Sequence, residues 1–159
     1  NNNHLAALSF DDFKGRLIPF LEIVGIDYTQ KDNSNDIIQA MRSSQPTLLG
    51  VAIDLVPYFS PMNAYDQKAA DKFIRGAESV LEFVQRKLNS LEVWNEESID
   101  HALQEAQSAL SLPTPKLNQP IRIAMTGSTQ SPSLGLTLSL FDLAEVNYRI
   151  DAALEYLAN

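Results

Sequence analysis

The side chains that commonly carry enzymatic chemistry are scarce in this sequence. It has no cysteine and only two histidines, His4 and His101, whereas nucleophilic catalysis needs a base beside the nucleophile. The glycines are scattered singly, so no glycine-rich phosphate loop is present. The paired carboxylates Asp11 and Asp12 follow Ser9, where we expect them to stabilise the start of a helix. This inventory argues against a catalytic domain and against a zinc site built from cysteine or histidine.

One segment has residue types that suit RNA binding. Residues 126–130 form a small polar turn between two predicted helices, and Ser131-Pro132 resembles a helix start, with a cap residue before proline. The backbone at such a turn can hold a phosphate or read base edges. Arg122 lies on the preceding predicted helix, and its planar cation can stack on a base or form a forked hydrogen-bond pair. Residue chemistry alone nevertheless favours the alternative, an ordinary helix corner with a surface arginine.

The net charge restricts any RNA site to a small area. The chain carries 12 Lys and Arg against 20 Asp and Glu, for a net charge of −8, and polyanion binding usually needs a basic face. Because the local field can differ from the average, we expect a confined positive patch near Arg122 and Arg42. No run of about 18 apolar residues is present, so no membrane span is predicted. The lack of cysteine fits a reducing, cytoplasmic location.

Hydrophobic spacing predicts helices along nearly the whole chain and no convincing strand. Ser9 and Asn95 are predicted N-caps, and Gly25 is a predicted left-handed C-cap. A helix carrying Ile37, Ile38 and Met41 follows the first. The other predicted helices lie at about 46–56, 66–74, 76–91, 118–126, 132–141 and 143–157, with one more beginning after Asn95.

Prolines predict where the helices are interrupted. Pro19 is expected to bend or break the first helix. Pro57 and Pro61 are expected to bracket a loop whose aromatic residues, Tyr58 and Phe59, close the core. Residues 111–116 contain two prolines and are predicted to form a stiff linker.

The order and spacing of three short motifs resemble a known family. The motifs are Gln-Pro-Ile-Arg at 119–122, Thr-Gly at 126–127 and Ser-Pro-Ser-Leu at 131–134. Together they resemble the signature of the last helical subdomain of bacterial glutamyl-tRNA synthetases. Weaker agreement extends along the chain, including Leu-Ile-Pro-Phe-Leu at 17–21 and Trp94 before an acidic helix.

The resemblance implies an all-α fold in which two small helical subdomains form a cage around the anticodon loop. It places the tail of a preceding stem-contact segment at 1–8. The first anticodon-binding subdomain would then span 9–92 and the second 93–159.

Residue roles follow from the resemblance position by position. Arg122 matches the family arginine that lies against an anticodon base. Ser131, Pro132 and Leu134 match the turn that receives the first two anticodon bases. Such contacts suit single-stranded RNA, whose splayed bases can stack and expose their pairing edges.

The sequence departs from one family pattern at the position that reads the third anticodon base. The junction containing Arg42, Ser44 and Gln45 matches the place where the family reads this base. Some members that reject tRNA(Gln) have arginine at the position aligned with Ser44, and serine cannot make that forked contact. The hypothesis is that Arg42 or Gln45 reads the base differently, or that both tRNA(Glu) and tRNA(Gln) are accepted.

The resemblance also defines the expected partners and chemistry. It implies tRNA(Glu) as the partner, with tRNA(Gln) as the open second case, and no role for DNA or a membrane. A full-length synthetase attaches glutamate using ATP and Mg²⁺, but the family's catalytic motifs do not occur in this chain. We therefore expect a monomer that binds without a cofactor or metal of its own. A helical protein-interaction module is the competing class, although no solenoid repeat is present.

Overall fold

The computed structural model of the protein describes residues 2–61, 65 and 67–158, without the side chains of Asn2 and Asn3. All regular elements in these ranges are helical, which confirms the predicted all-α class. A short 3-10 turn spans Tyr28–Gln30. The α-helices in chain order are α1 (Asn2–Ala6), α2 (Phe10–Ile23), α3 (Ser34–Met41), α4 (Leu48–Phe59), α5 (Gln67–Phe73), α6 (Glu78–Asn89), α7 (Glu96–Leu110), α8 (Thr114–Thr126), α9 (Leu134–Ser139) and α10 (Leu143–Ala158).

The chain divides into two compact units. Unit 1 comprises Asn1–Pro61 and unit 2 comprises Met62–Asn159. The subdomain boundary that the family resemblance implies, between 92 and 93, stays a prediction. Within unit 2, α6 packs against α7 and α10.

The core of unit 1 forms where α2 and α3 pack against α4. Ser9 caps α2 by accepting a hydrogen bond from the Asp12 amide at 3.2 Å, as predicted. Gly25 follows this helix at a φ of 81°, the left-handed value expected there. Pro19 does not break α2, which contradicts that part of the prediction. Buried side chains on both sides of the proline, Phe13, Leu17 and Leu21, hold the helix in place against its local penalty of about 3 kcal/mol.

The predicted loop after residue 56 is also helical. Helix α4 contains Pro57 and continues to Phe59, because the tyrosine that follows the proline is 1% exposed and belongs to the core. Tyr58 therefore closes the core as predicted, but it does so from a helix. At the other end, the Thr47 hydroxyl caps α4 by accepting from the Gly50 amide at 3.1 Å.

Unit 2 contains α5 to α10, and α8 packs against α5, α6, α9 and α10. Asn95 caps α7 by accepting from the Ser98 amide at 2.8 Å, which confirms the sequence prediction. The predicted linker at 111–116 is wrong in its second half, because α8 begins at Thr114. Proline fits the first turn of a helix, where its missing N–H has no partner to lose, so Pro115 is accommodated as the second residue of α8. Among the described residues, no helix is long and apolar enough to cross a membrane.

Candidate nucleic-acid interface

The predicted RNA-binding turn lies between α8 and α9 and is held by its own polar side chains. Helix α8 ends at Gly127, which has a φ of 74° and donates its amide to the Ile123 carbonyl at 2.9 Å. The Thr126 hydroxyl donates to the Arg122 carbonyl at 3.1 Å and accepts from the Ser128 amide at 3.3 Å. The chain therefore reverses at a defined point, because the left-handed residue is glycine.

Two amides of the turn are occupied inside it. Ser128 donates its amide to Thr126, and the Gln130 amide donates to the Ser128 hydroxyl at 3.0 Å. These two N–H groups are thus satisfied without a ligand, and a phosphate cradle built from them is not formed. Recognition at this turn would therefore depend on side chains and on the remaining backbone.

Two of the predicted site residues, Arg122 and Ser131, meet across the turn. The Arg122 Nε donates to the Ser131 Oγ at 2.9 Å, and both residues are partly buried. Since Nε is only one of the donors on the guanidinium, this bond fixes the plane of the cation. A planar cation held at a surface turn can stack on a base or donate a forked pair.

Thr137 extends this contact into the core and was not predicted from the sequence. Its hydroxyl is fully buried and lies 3.2 Å from the Ser131 Oγ and 3.1 Å from the Pro132 carbonyl oxygen. Ser131 in turn donates to the Pro132 carbonyl at 2.8 Å. A threonine inside a predicted apolar helix was the available signal, because a buried hydroxyl needs a partner.

The start of α9 differs from the prediction. Ser131-Pro132 is not the cap and first residue, because α9 begins at Leu134 with Ser133 as the N-cap residue. The Ser131 hydroxyl is engaged by Arg122 and the Pro132 carbonyl, so it does not cap the helix. The Leu134 side chain is 3% exposed, so it is a core residue, whereas Pro132 is half-buried at the turn.

Helix α9 is placed by a close approach to α7. A Cβ added at Gly135 would lie 1.9 Å from the Asp100 Oδ1 and 2.6 Å from its Cγ. Only glycine allows the α9 backbone to lie this close to the Asp100 carboxylate. A lone glycine within an otherwise helical pattern is a recognised signal of close packing, although the sequence does not reveal its partner.

The end of α8 is anchored by Arg149, a buried residue that sequence reasoning missed. Its guanidinium is 3% exposed and donates to the Met125 carbonyl and, at 2.7 Å, to the Glu145 carboxylate. It also lies 4.6 Å from the centre of the Phe141 ring. A helix leaves its last carbonyls without partners, and Arg149 donates a hydrogen bond to one of them at the end of α8.

Tyr65 supports the same helix end. Its hydroxyl lies within 3.4 Å of the Ala124 and Arg149 carbonyl oxygens. Burial raises the pKa of Tyr65 to about 12, although the positive charge of Arg149 opposes the rise. The phenol therefore stays a neutral donor near neutral pH. Together, Tyr65 and Arg149 satisfy carbonyls beside the segment that carries Arg122.

The three residues predicted to read the third base have different surroundings in unit 1. Arg42 donates to the carbonyls of Leu5 and Leu8, at 3.0 and 2.8 Å, and its guanidinium lies 4.7 Å from the Phe13 ring centre. These contacts join α1 to the start of α2 and give Arg42 a structural role.

The other two residues of that junction differ in exposure. Gln45 donates its amide to the Asp54 carboxylate at 3.0 Å and is partly buried. The Ser44 side chain is exposed, and its backbone amide bonds to the Met41 carbonyl at 3.0 Å. Ser44 is therefore the most accessible of the three predicted residues.

A family model and the relatives with similar sequences indicate the same protein family. The family model "Anticodon binding domain" matches residues 12–154. A glutamate–tRNA ligase of Myxococcus xanthus is 34% identical over 156 residues, which cover 97% of this chain and 33% of the relative. A glutamate–tRNA ligase of Xanthomonas axonopodis is 34% identical over 82% of this chain and 28% of its own length. The chain thus spans about a third of the length of these relatives.

A solved structure shows the same fold. A glutamate tRNA ligase from Elizabethkingia meningosepticum matches with a TM-score of 0.84 at 19% identity. The match covers 99% of this chain and 31% of that one. At this level of identity the likeness supports the helical architecture alone.

Replacing Arg149 with methionine is expected to destabilise unit 2 by about 2–4 kcal/mol. The substitution leaves the Met125 carbonyl without its donor and removes a buried cation from Glu145. Urea unfolding followed by Trp94 fluorescence measures the effect, because this tryptophan bonds to the Phe141 carbonyl. Arg86→Met is the control: its cation lies over Phe83 at the surface, and we expect a change within about 0.5 kcal/mol. Equal effects of the two variants would contradict the anchoring role.

Gly135→Ala is expected to lower stability by about 1–2 kcal/mol. Overpacking against Asp100 costs about 1–3 kcal/mol, and the better helix propensity of alanine returns up to about 1 kcal/mol. The double variant Gly135→Ala with Asp100→Ala should recover most of the loss in the same urea experiment. If the double variant is no more stable than Gly135→Ala alone, the close approach does not set the position of α9.

Proposed function

The chain belongs to the anticodon-binding domain family, and we propose that it holds the anticodon loop of a tRNA within a glutamate–tRNA ligase. The observation that carries the proposal is the Arg122–Ser131 contact, which fixes a planar cation at a polar turn. This contact lies inside the region that matches the family. A purely protein-binding role for the helices has no comparable support.

The chemistry of the turn suits single-stranded bases. An anticodon loop presents unpaired bases whose faces and pairing edges are accessible. A guanidinium that is already oriented loses little rotamer freedom when a base stacks on it, and such stacking contributes about 1–3 kcal/mol per base. The orientation is maintained by the bond from Arg122 to the Ser131 hydroxyl and by the contact of that hydroxyl with Thr137. We assign base contact to Arg122 and Pro132.

Leu134 has a different part in this proposal. Because its side chain is buried, its contribution is to set the depth and position of the turn from the core. Base contact at this position would come from the backbone around residues 132–134. Position 134 therefore stays in the proposed site, but its side chain supports the turn and does not contact a base.

The activation of glutamate is assigned to the rest of such a ligase. In this proposal, ATP and Mg²⁺ act in a separate catalytic region of the ligase, and this chain selects the tRNA at a distance. We also propose that the protein is a monomer and that the tRNA it binds is tRNA(Glu).

Reading of the third base is proposed to centre on Ser44. Arg42 and Gln45 are engaged by carbonyls and by Asp54, so neither is the best reader. A serine hydroxyl can donate one hydrogen bond and accept others, so it can adapt to bases with different edges. We therefore propose that both tRNA(Glu) and tRNA(Gln) loops are accepted.

Arg122→Ala is expected to weaken binding of a tRNA(Glu) anticodon stem-loop by about 1–3 kcal/mol, or roughly 5–150-fold. Titration at low salt with a fluorescently labelled stem-loop measures the change. Ser131→Ala should produce a smaller loss, because it leaves the cation in place but removes the bond that orients it. Wild-type affinity in Arg122→Ala would remove this residue from the interface.

Ser44→Arg is expected to create discrimination that the wild-type chain lacks. Wild-type binding of two stem-loops that differ only in the third anticodon base, C for glutamate and G for glutamine, should differ by no more than a few-fold. An arginine can make a forked contact with one base edge, which contributes about 1–3 kcal/mol of discrimination. Strong preference by the wild-type chain for one loop is the outcome that contradicts the proposal.

A further inference from the structure

A basic surface lies beside α8, outside the turn between α8 and α9. It is an open groove of about 530 Å³ between α5, the start of α6 and the first half of α8. We call it the α5–α8 groove. The residues that matter for its chemistry are Lys72, Phe73, Arg75, Leu112, Lys116 and Gln119.

The charge of the groove differs in sign from that of the chain. It is lined by three of the 12 Lys and Arg residues, and none of its described lining residues is a carboxylate. Arg75 is partly neutralised, because its Nε bonds to Asp71 at 2.8 Å and it feels the charge of Glu78. Lys72 and Lys116 are exposed and have no ion pair among the described residues. The groove is therefore complementary to an anion, on a protein that is otherwise acidic.

The floor of the groove is apolar and aromatic. Phe73 and Leu112 line it with Pro115 and Pro120, and the Lys72 Nζ lies 5.1 Å from the centre of the Phe73 ring. An apolar floor beneath cations fits a nucleotide, which joins a flat base to a charged phosphate. A simple inorganic anion would leave this floor uncovered.

Gln119 adds an acceptor without a partner. Its side-chain oxygen is buried and makes no hydrogen bond within the described residues. A buried acceptor of this kind is unfavourable until a donor reaches it. The hydroxyl and amino groups of a nucleotide are suitable donors. Because this residue lines the groove, the groove combines charge and an apolar surface with a side-chain amide whose oxygen is buried.

The groove is also close to Arg122 along α8. Gln119 and Arg122 are three residues apart, so they are neighbours on the surface of the helix. Lys116 and Arg122 are separated by about 9 Å along the axis, which is roughly two or three stacked nucleotides. Six residues also rotate the helix by about 240°, so a strand that reaches Arg122 enters the groove by passing around α8 near Gln119.

We propose that the α5–α8 groove binds the sugar–phosphate backbone of the RNA strand next to the bases recognised at Arg122. Lys72 and Lys116 contact the phosphate, and Phe73 with its apolar neighbours packs against the base or ribose. This inference rests on the proposed anticodon function. It adds a sequence-independent contact to a site whose other residues read bases, since phosphate contacts position a strand without specifying its sequence.

The test compares Lys72→Gln, Lys116→Gln and the double variant with Arg86→Gln. Arg86 is a cation on α6 outside the groove, so it controls for the change in net charge. Each protein is titrated with a tRNA(Glu) anticodon stem-loop and with the same stem-loop carrying different first and second anticodon bases, over a range of salt concentrations. Thermal unfolding confirms that each variant is folded.

We expect each groove variant to weaken binding of both stem-loops by the same factor, roughly 3–10-fold. The slope of log K against log salt should fall by about 0.7–0.9 for each lysine. The ratio of affinities for the two anticodons should stay constant. Arg86→Gln should leave affinity and slope at their wild-type values.

The outcomes separate this inference from the anticodon proposal. If the wild-type chain distinguishes the two anticodons but both lysine variants match Arg86→Gln, the groove is not a phosphate site and the anticodon proposal stands. If the groove variants lose affinity while the wild-type chain does not distinguish the anticodons, the groove inference holds and anticodon reading is wrong. Absence of binding by the wild-type chain at low salt overturns both.

Discussion

The anchoring of the last turn of α8 is the constraint on which the candidate site depends. The carbonyls at the end of a helix have no partners within it, and the last residues of α8, 123–126, are buried. Arg149 resolves this by donating to the Met125 carbonyl while it pairs with Glu145 and lies on Phe141. A desolvated arginine is stable there only because each of these partners is present. The position of Arg122, one turn earlier on α8, follows from this anchor.

The turn that faces Arg122 is held from its other side by α9. Gly135 allows α9 to lie directly against Asp100. The buried Thr137 hydroxyl contacts the Ser131 hydroxyl and the Pro132 carbonyl. The Arg122–Ser131 bond therefore joins α8 to the turn before α9, and the two are held in place by separate contacts. An arginine on a flexible loop would lose more rotamer freedom when it bound a base. The rigid support gives a physical reason for a small site to function on an acidic protein.

Local signals in the sequence predicted the helix ends that depend on one side chain or one glycine. Ser9, Asn95 and Gly25 behave as their types suggest, because capping and left-handed φ are properties of a few adjacent residues. Proline was the weak point of the prediction. Pro19 and Pro57 lie inside helices because core packing on both sides outweighs the local penalty, and Pro115 begins a helix that was expected to start later. These outcomes depend on contacts between helices, which a local pattern does not contain.

The distinction between local sequence signals and contacts between distant residues also applies to the candidate site. The family resemblance named Arg122 and Ser131 as separate site residues, and the contact between them is seen only in the structure. The sequence pattern and the resemblance did not identify Arg149, which bonds to the Met125 carbonyl of α8, or Thr137, which bonds to Ser131 and Pro132 in the turn before α9. Nor did they distinguish the exposed Ser44 from Arg42, which is engaged by the carbonyls of α1 and its following turn.

Amide chemical-shift mapping of the 159-residue chain during titration with a tRNA(Glu) anticodon stem-loop tests the central claim most directly. We expect the largest shifts to cluster at Arg122 and residues 126–133, with a second cluster at 43–45. Shifts that leave the α8–α9 turn unchanged and concentrate on other helices would contradict that claim.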